Sequence, residues 1–390
     1  MFFVREGKMD RVNVLFIVHY PELYGSIRSL MDLLSGLEPY GVTPYFILPA
    51  IGGLSDYLDR QGYRYAVIRA DSWLSEKHVP IKEKARTCQK LSRNADLIGK
   101  YLRQWSIDLV YTNTSVSPVG LMAAKRSGLP HIWHIREFGD LDFGLRFIFP
   151  KLLSKAFMLR SDAVICHSKA VRNYHFKPDV KNVHQIYNGV ATKAQFDERL
   201  AVRQQSHEAR PFTFVMMSVI TPKKGQEQAI RALAKLRDNG LDARLVIGGN
   251  GKADYLGHLT KLSGDLNLEA QVEFTGLIAD PLPTYFAADC ALICSENEAF
   301  SRAGLEATSI GLPLIGKNSG GNPEVIEHGR TGFLYDSFDE LVEFLKDLVQ
   351  DQQKSQQMGI AGWQRARELF NVEDYAENVF GVIQNAMENR

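Results

Sequence analysis

Several features that would classify this chain quickly are missing from it. Only four cysteines occur in 390 residues. They are Cys88, Cys166, Cys290 and Cys294, without the paired spacing of a zinc site. Cys290 and Cys294 sit in or beside an apolar run and read as buried thiols, which suggests a reducing compartment. No apolar run approaches the ~18 residues that a membrane span needs. The opening MFFVREGK is interrupted by charge before any apolar region forms, so it does not read as a signal peptide. Residues 1–8 are expected to be a flexible extension ahead of a natural start at Met9. The G-x-G-x-x-G fingerprint is absent, which argues against a dinucleotide oxidoreductase.

Net charge is also nearly absent, with 46 Lys and Arg against 45 Asp and Glu. That balance hides an asymmetry. Residues 1–195 carry 27 basic and 17 acidic side chains, and residues 196–390 carry 19 and 28. A basic first half points to an anionic acceptor or an anionic membrane surface. Nucleic acid is disfavoured because no recognition motif or aromatic context accompanies the charge.

What is present is ordinary globular material, 45% hydrophobic and 23% charged, enough for two domains with a core each. Short apolar runs alternate with amphipathic segments. Val12–Val18 reads as a strand, followed by a helix with Leu30, Leu33, Leu34 and Leu37 on one face. Further strands are YFILPA, DLVYTN, HIWHI and AVICHS. Helices are expected over Glu76–Trp105 and Leu145–Arg160, the latter as a core helix with snorkelling cations or, alternatively, facing a membrane. Ala191–Arg210 reads as a polar linker. In the second half FTFVMMSVI, ARLVIGG and QVEFTG are strands, each leading into a turn and a helix. Asp140-Leu141-Asp142 lies in a loop ahead of a helix and reads as structural, not as a metal site.

The most informative stretch is Asp289–Gly332. CALIC is a short strand, and a polar loop follows. Ser301 can cap a helix over Arg302–Ile310, which Gly311-Leu312-Pro313 ends. Gly320 and Gly321 form a loop, and Pro323 takes the first position of another helix. Glu298 and Glu306 flank the capped helix start. On one unbroken helix they would stand ~80° apart. With Glu298 on the loop and Glu306 in the helix, both can reach a single ligand beside the helix N-terminus, where N–H groups favour phosphate.

Taken as a whole, this stretch resembles the donor-site signature of glycosyltransferase family 4, retaining sugar-nucleotide transferases of GT-B architecture. Glu298, Phe300, Glu306, Ala307, Gly311, Pro313, Gly320, Gly321 and Glu324 match its pattern, with Ser301 where Gly is commonest. The resemblance extends over residues 12–387 and is stronger in the second half. It implies an α/β fold of two Rossmann-like domains facing each other across a cleft. The domains would be residues 1–195 on the acceptor side and 196–371 on the nucleotide-sugar side, with 372–390 as a helix returning to the first domain.

The resemblance also implies roles. Glu298, Lys224 and His134 would be catalytic. Gly25, Ser218, Gly249, Gly276, Phe300, Ser301, Arg302 and Glu306 would bind substrate. Lys224-Gly225 matches the family's diphosphate-binding pair, but Ser218-Val219 stands where the family carries Gly-Arg, and Arg302 is the candidate to compensate. The implied partners are a nucleoside diphosphate sugar and a glycan or glycolipid acceptor, with no metal and no other cofactor. The expected setting is cytoplasmic, with peripheral attachment at the inner face of a membrane as an option, and the basic first half suggests a bacterial cell-surface polysaccharide or glycolipid acceptor. The alternatives are a non-catalytic nucleotide-sugar-binding subunit and a phosphorolytic enzyme of the same architecture.

Overall fold

A computed structural model describes residues 11–69, 71–205 and 210–388. The extension expected over residues 1–8 lies outside them. The chain forms two compact units, one of them discontinuous. The first runs to Gly189 and resumes at Val372, and the second is Val190–Asn371.

In the first unit the apolar runs become β1 (Val12–Ile17), β2 (Val42–Leu48), β3 (Arg64–Val67), β5 (Leu109–Thr112), β6 (His131–Ile135), β8 (Ala163–Cys166) and β9 (Val183–Gln185). They pair in the order β3-β2-β1-β5-β6-β8-β9, all parallel. Continuous apolar strands suit a parallel sheet covered on both faces. Two short strands, β4 (Leu74–Ser75) and β7 (Arg146–Phe147), form a separate antiparallel ribbon. The helix Gly25–Leu37 buries Ile27, Leu30, Leu33, Leu34 and Leu37 as its leucine spacing predicts. The final helix, Val372–Glu388, packs its Tyr375, Ala376, Val379 and Phe380 into the same core. The returning segment is thus a structural member of the first unit.

Two expectations need correction. Leu145–Arg160 is not one helix. A turn of helix at Asp140–Phe143 stops at Gly144 in the left-handed region (φ 73°), β7 follows, and a new helix begins only after Pro150, over Lys151–Met158. Pro150 has no N–H to continue a helix and presets the backbone just before a new one. Nor is this a core helix, since Leu152 and Leu153 are 79% and 63% exposed while Ser154 and Met158 face inward. The expected linker is likewise structured. Lys193–Gln205 is helical and is tied to the second unit by the Arg367–Asp197 ion pair and by Trp363 Nε1–H donating to the Phe196 carbonyl.

The second unit contains β10 (Phe212–Met217), β11 (Ala243–Gly248), β12 (Val272–Gly276), β13 (Cys290–Ile293), β14 (Leu314–Lys317) and β15 (Gly332–Tyr335). Their order is β12-β11-β10-β13-β14-β15, all parallel. This is the doubly wound order, and the winding reverses between β10 and β13. At such a reversal the loops leaving the two strands diverge and open a crevice at the strands' C-terminal ends. Cys290 and Cys294 are buried free thiols, as their apolar setting predicts.

The returning helix yields a prediction. Phe380 is buried and stacks on Tyr40 with ring centroids 4.6 Å apart. Phe380→Ala should cost the first unit about 3 to 4 kcal/mol. Two-transition calorimetry or urea unfolding should show the transition of the second unit unchanged.

Candidate functional site

The winding reversal of the second unit is where most of the residues singled out in that half of the sequence gather. After β10 the chain makes a 3-10 turn over Pro222–Lys224, ended by Gly225 at φ 75°. After β13 it forms the loop Ser295–Phe300. Lys224 Nζ crosses to Glu298 Oε2 at 2.6 Å, with the two side chains only 29% and 15% exposed. Burial pushes the Glu298 carboxyl up, but the charge and hydrogen bond of Lys224, aided by the Ser295 hydroxyl, outweigh it. The net result lies below the usual carboxylate range, so Glu298 is ionised.

The Glu298 loop is held by backbone. Asn297 lies in the left-handed region at φ 54°, which Asn tolerates, and its N–H donates to Ser319 Oγ at 3.1 Å. Gly320, at φ 58°, comes so close that a Cβ there would sit 2.2 Å from the Glu298 carbonyl oxygen. Gly321 N–H donates to that oxygen at 2.6 Å. The Gly-Gly pair therefore clamps the loop carrying Glu298.

Phe300 is buried edge-on against Phe370, with centroids 5.6 Å apart. Ser301 caps the next helix, Arg302–Thr308, its Oγ accepting from Gly304 N–H at 3.1 Å. Glu306 lies within that helix and pairs with Arg302, Nε to Oε1, at 2.7 Å. The sequence suggested two acids around one anion seat. The structure shows two acid–base pairs, Lys224–Glu298 and Arg302–Glu306. The Arg302 guanidinium is already engaged by a carboxylate one helical turn away.

Ser218, Gly249 and Gly276 top the neighbouring strands. Ser218 N–H donates to the Gly248 carbonyl at 3.0 Å, and Gly249 N–H to the Gly276 carbonyl at 2.8 Å. Gly249 has φ 139°, and a Cβ there would meet the Ser218 carbonyl oxygen at 1.9 Å, so only glycine fits. Gln226 was not anticipated. It is fully buried at the start of helix Gln226–Asp238, and its amide bonds Ser218 Oγ and the Val219 carbonyl, both at 3.0 Å. A glutamine two positions after Lys224 offers no motif by which to find it.

His134 and Gly25 belong to the first unit. Gly25 opens the helix Gly25–Leu37, and its φ is not positive. His134 lies on β6, fully buried, with Nδ1 2.6 Å from Tyr111 Oη and 3.3 Å from Arg136 Nη2. Burial, then the charge of Arg136, then His167 hold its pKa well below the usual histidine value, so the ring is neutral. Glu137 is buried and accepts from Thr114 Oγ1, Ser115 N–H, Ser115 Oγ and Arg136 N–H at 2.7 to 3.0 Å. Asp142 accepts from the Phe138 and Gly139 N–H groups at 2.9 and 2.7 Å, a capping role. Among the described residues no group of three or more His, Cys, Asp or Glu is placed to hold a metal ion.

The family model "Glycosyltransferase Family 4" matches residues 25–194, and "Glycosyl transferases group 1" matches residues 197–365. A Mycobacterium tuberculosis protein described as GDP-mannose-dependent alpha-(1-6)-phosphatidylinositol monomannoside mannosyltransferase is 37% identical over 161 residues, covering 38% of this chain and 41% of that one. The N-acetyl-alpha-D-glucosaminyl L-malate synthase of Bacillus anthracis is 26% identical over 215 residues, covering 54% and 55%. The chain thus spans about half or less of the curated relatives it matches. Among solved structures, Anabaena HepE in complex with UDP and glucose superimposes with a TM-score of 0.76 at 22% identity, over 96% of this chain and 100% of that one. Sucrose-phosphate synthase from Thermosynechococcus elongatus superimposes with a TM-score of 0.79 at 18% identity, over 97% and 100%. With both halves matched and two doubly wound sheets in place, the chain belongs to glycosyltransferase family 4 and has the GT-B fold.

Proposed function

We propose that this protein transfers a sugar from a nucleoside diphosphate sugar to a hydroxyl acceptor, with retention at the anomeric carbon. The observation that carries the reading is the Lys224–Glu298 pair at the winding reversal of the second unit. It sets an ammonium, suited to a departing diphosphate, beside an ionised carboxylate, suited to sugar hydroxyls. Glu306 is read as the ribose ligand. Backbone at Phe300, Ser301 and Arg302 is read as lining the diphosphate, and Ser218, Gly249 and Gly276 as lining the nucleotide. In the first unit, His134 and Gly25 are read as facing substrate.

The main chemical task is to stabilise negative charge as the diphosphate leaves, and Lys224 is poised for it. In this mechanism Lys224 supplies the positive charge, the phosphate takes the acceptor proton, and no divalent cation is required. The relatives act on a lipid-linked mannoside in one case and on malate in another, going by their names, so the acceptor class is left at hydroxyl. A thermal-shift screen with UDP-, GDP- and ADP-sugars tests the reading. At 100-fold its Kd the right donor should add about 2.7 kcal/mol, a shift of about 5 to 10 °C, unchanged by a chelator. Glu298→Gln should lower transfer about a hundredfold or more while nucleotide still binds. If no nucleotide sugar stabilises the protein, the reading fails. Binding without hydrolysis or transfer would favour the non-catalytic subunit, and release of sugar phosphate with phosphate alone would favour a phosphorolytic enzyme.

A specific observation also favours peripheral contact with an anionic membrane. Leu141 and Phe143 are exposed on one short helix, and Leu152 and Leu153 on the next. The Lys151–Asp140 contact at 3.7 Å brings these two helices together. Arg146 and Arg160 flank them, in the unit that carries most of the basic excess. No helix among the described residues is long and apolar enough to cross a membrane, so the attachment proposed is superficial. Co-sedimentation should be stronger on vesicles containing phosphatidylglycerol than on pure phosphatidylcholine, and should weaken with salt. Leu152→Glu combined with Leu153→Glu should lower it about tenfold or more. Equal binding to both vesicle types, or no effect of the double change, would sink the idea.

A further inference from the structure

A buried guanidinium stands between His134 and three other parts of the first unit. Arg136 is 6% exposed. Its Nε donates to Asn113 Oδ1 and its Nη1 to Asn188 Oδ1, both at 2.7 Å. Its Nη2 donates to Tyr375 Oη at 2.9 Å and approaches His134 Nδ1 at 3.3 Å. Two asparagines, a tyrosine and a neutral imidazole surround it, and none of them balances its charge. Among the described residues the guanidinium forms no ion pair, and the adjacent Glu137 carboxylate accepts instead from Thr114, Ser115 and the Arg136 backbone N–H. Burying an unpaired cation is costly, and a neutral side chain could bridge asparagines more cheaply. The charge calls for an explanation beyond packing.

The chemistry of the contact supplies one. A guanidinium has five N–H donors and no acceptor. One Nη2 proton serves Tyr375, and the other points at His134 Nδ1. That nitrogen must therefore offer its one lone pair, and in this tautomer the Tyr111 hydroxyl, 2.6 Å away, shares it as a second donor. In the opposite tautomer two protons would confront each other across the Arg136 contact. The ring proton is thus confined to Nε2, and Nε2 is a buried atom with no hydrogen-bond partner among the described residues. A buried N–H without an acceptor is a standing cost that a ligand oxygen would relieve.

We infer that Arg136 is a positioning residue that locks His134 as a neutral Nε2–H donor for an oxygen of the substrate. The substrate half of this inference rests on the glycosyl-transfer reading above. The same guanidinium organises the other first-unit residue singled out from sequence. Asn113, held by Arg136, donates from Nδ2 to the Ser26 carbonyl at 3.3 Å, next to Gly25. Tyr375 brings in the returning helix. Arg136 thus joins the ends of β5 and β6, the last residues before Val190, and the chain after Val372. Protonation of His134 would place a second cation against the first, and Arg136 contributes to keeping the ring unprotonated.

The test is long-range proton–nitrogen NMR of the full-length protein with labelled histidine, assigned by loss of one ring signal in His134→Gln. The wild type should show Nε2 protonated and Nδ1 bare, without titration between pH 6 and 8. Arg136→Met should release the ring to a tautomer mixture or to titration in that range, and should lower kcat about tenfold or more with KM little changed. Arg136→Lys, which still donates, should restore the wild-type tautomer and most of kcat. A protonated Nδ1 in the wild type overturns the inference, and so does an unchanged tautomer in a folded Arg136→Met protein. Should Arg136→Met fail to fold, the wild-type spectrum and Arg136→Lys still decide. The tautomer is read without substrate. A locked Nε2–H in a protein that binds no nucleotide sugar would support the Arg136 assignment and count against the glycosyl-transfer reading.

Discussion

Lys224 and Glu298 are brought within 2.6 Å by the reversal of winding between β10 and β13, and the chemistry proposed for the second unit rests on that contact. Each partner loses hydration to reach its place. At an effective dielectric near 20 their bare attraction is several kcal/mol, of the same order as the desolvation it must offset. Such a pair adds little net stability. What it provides is a local field of fixed direction, with a cation and an anion presented side by side at the C-terminal edge of a sheet. The surrounding glycines serve that contact. Gly320 and Gly321 admit the Glu298 carbonyl, and Gly249 admits that of Ser218, because a side chain at any of these points would occupy space that backbone already fills.

The first unit handles charge differently. Among the described residues its buried Arg136 and Glu137 form no ion pair. Arg136 is solvated by neutral dipoles, and Glu137 by hydroxyls and N–H groups. Dipoles preorganised around an ion fix its position without cancelling its field, so the charge still acts on neighbours such as His134. The returning helix is drawn into this arrangement twice, through Phe380 in the apolar core and through Tyr375 at the guanidinium.

The chain shows where sequence reading succeeds and where it stops. Apolar runs alternating with amphipathic segments made the strands and helices legible, because parallel strands buried on both faces are continuously apolar, while the pairing of two Rossmann-like domains followed from the family resemblance. Ser301 was legible as a cap and Pro323 as a helix opener, since both act through their own backbone neighbours. The expectation of one core helix over Leu145–Arg160 fails because Leu and Phe content alone suggests a buried helix. Gly144 and Pro150 divide the segment from Asp140 to Met158, and composition does not say which face meets water. Ala191–Arg210 looked like a linker because it is polar, yet contacts with distant residues such as Arg367 and Trp363 fold much of it into a helix.

The sequence by itself determined most of the strands, the Ser301 cap and the Pro323 helix start, because strand periodicity, capping and turn chemistry are local properties written in neighbouring side chains. Only the tertiary structure decided the partnerships. That Arg302 answers Glu306, that Lys224 answers Glu298, and that Arg136 answers His134, Asn113, Asn188 and Tyr375 are matters of side chains converging in space. Lys224 and Glu298 are separated by 74 positions and Arg136 and Tyr375 by 239. Over such separations the order of strands and the winding of the sheet bring groups together, and the residue types alone do not specify which ones will meet.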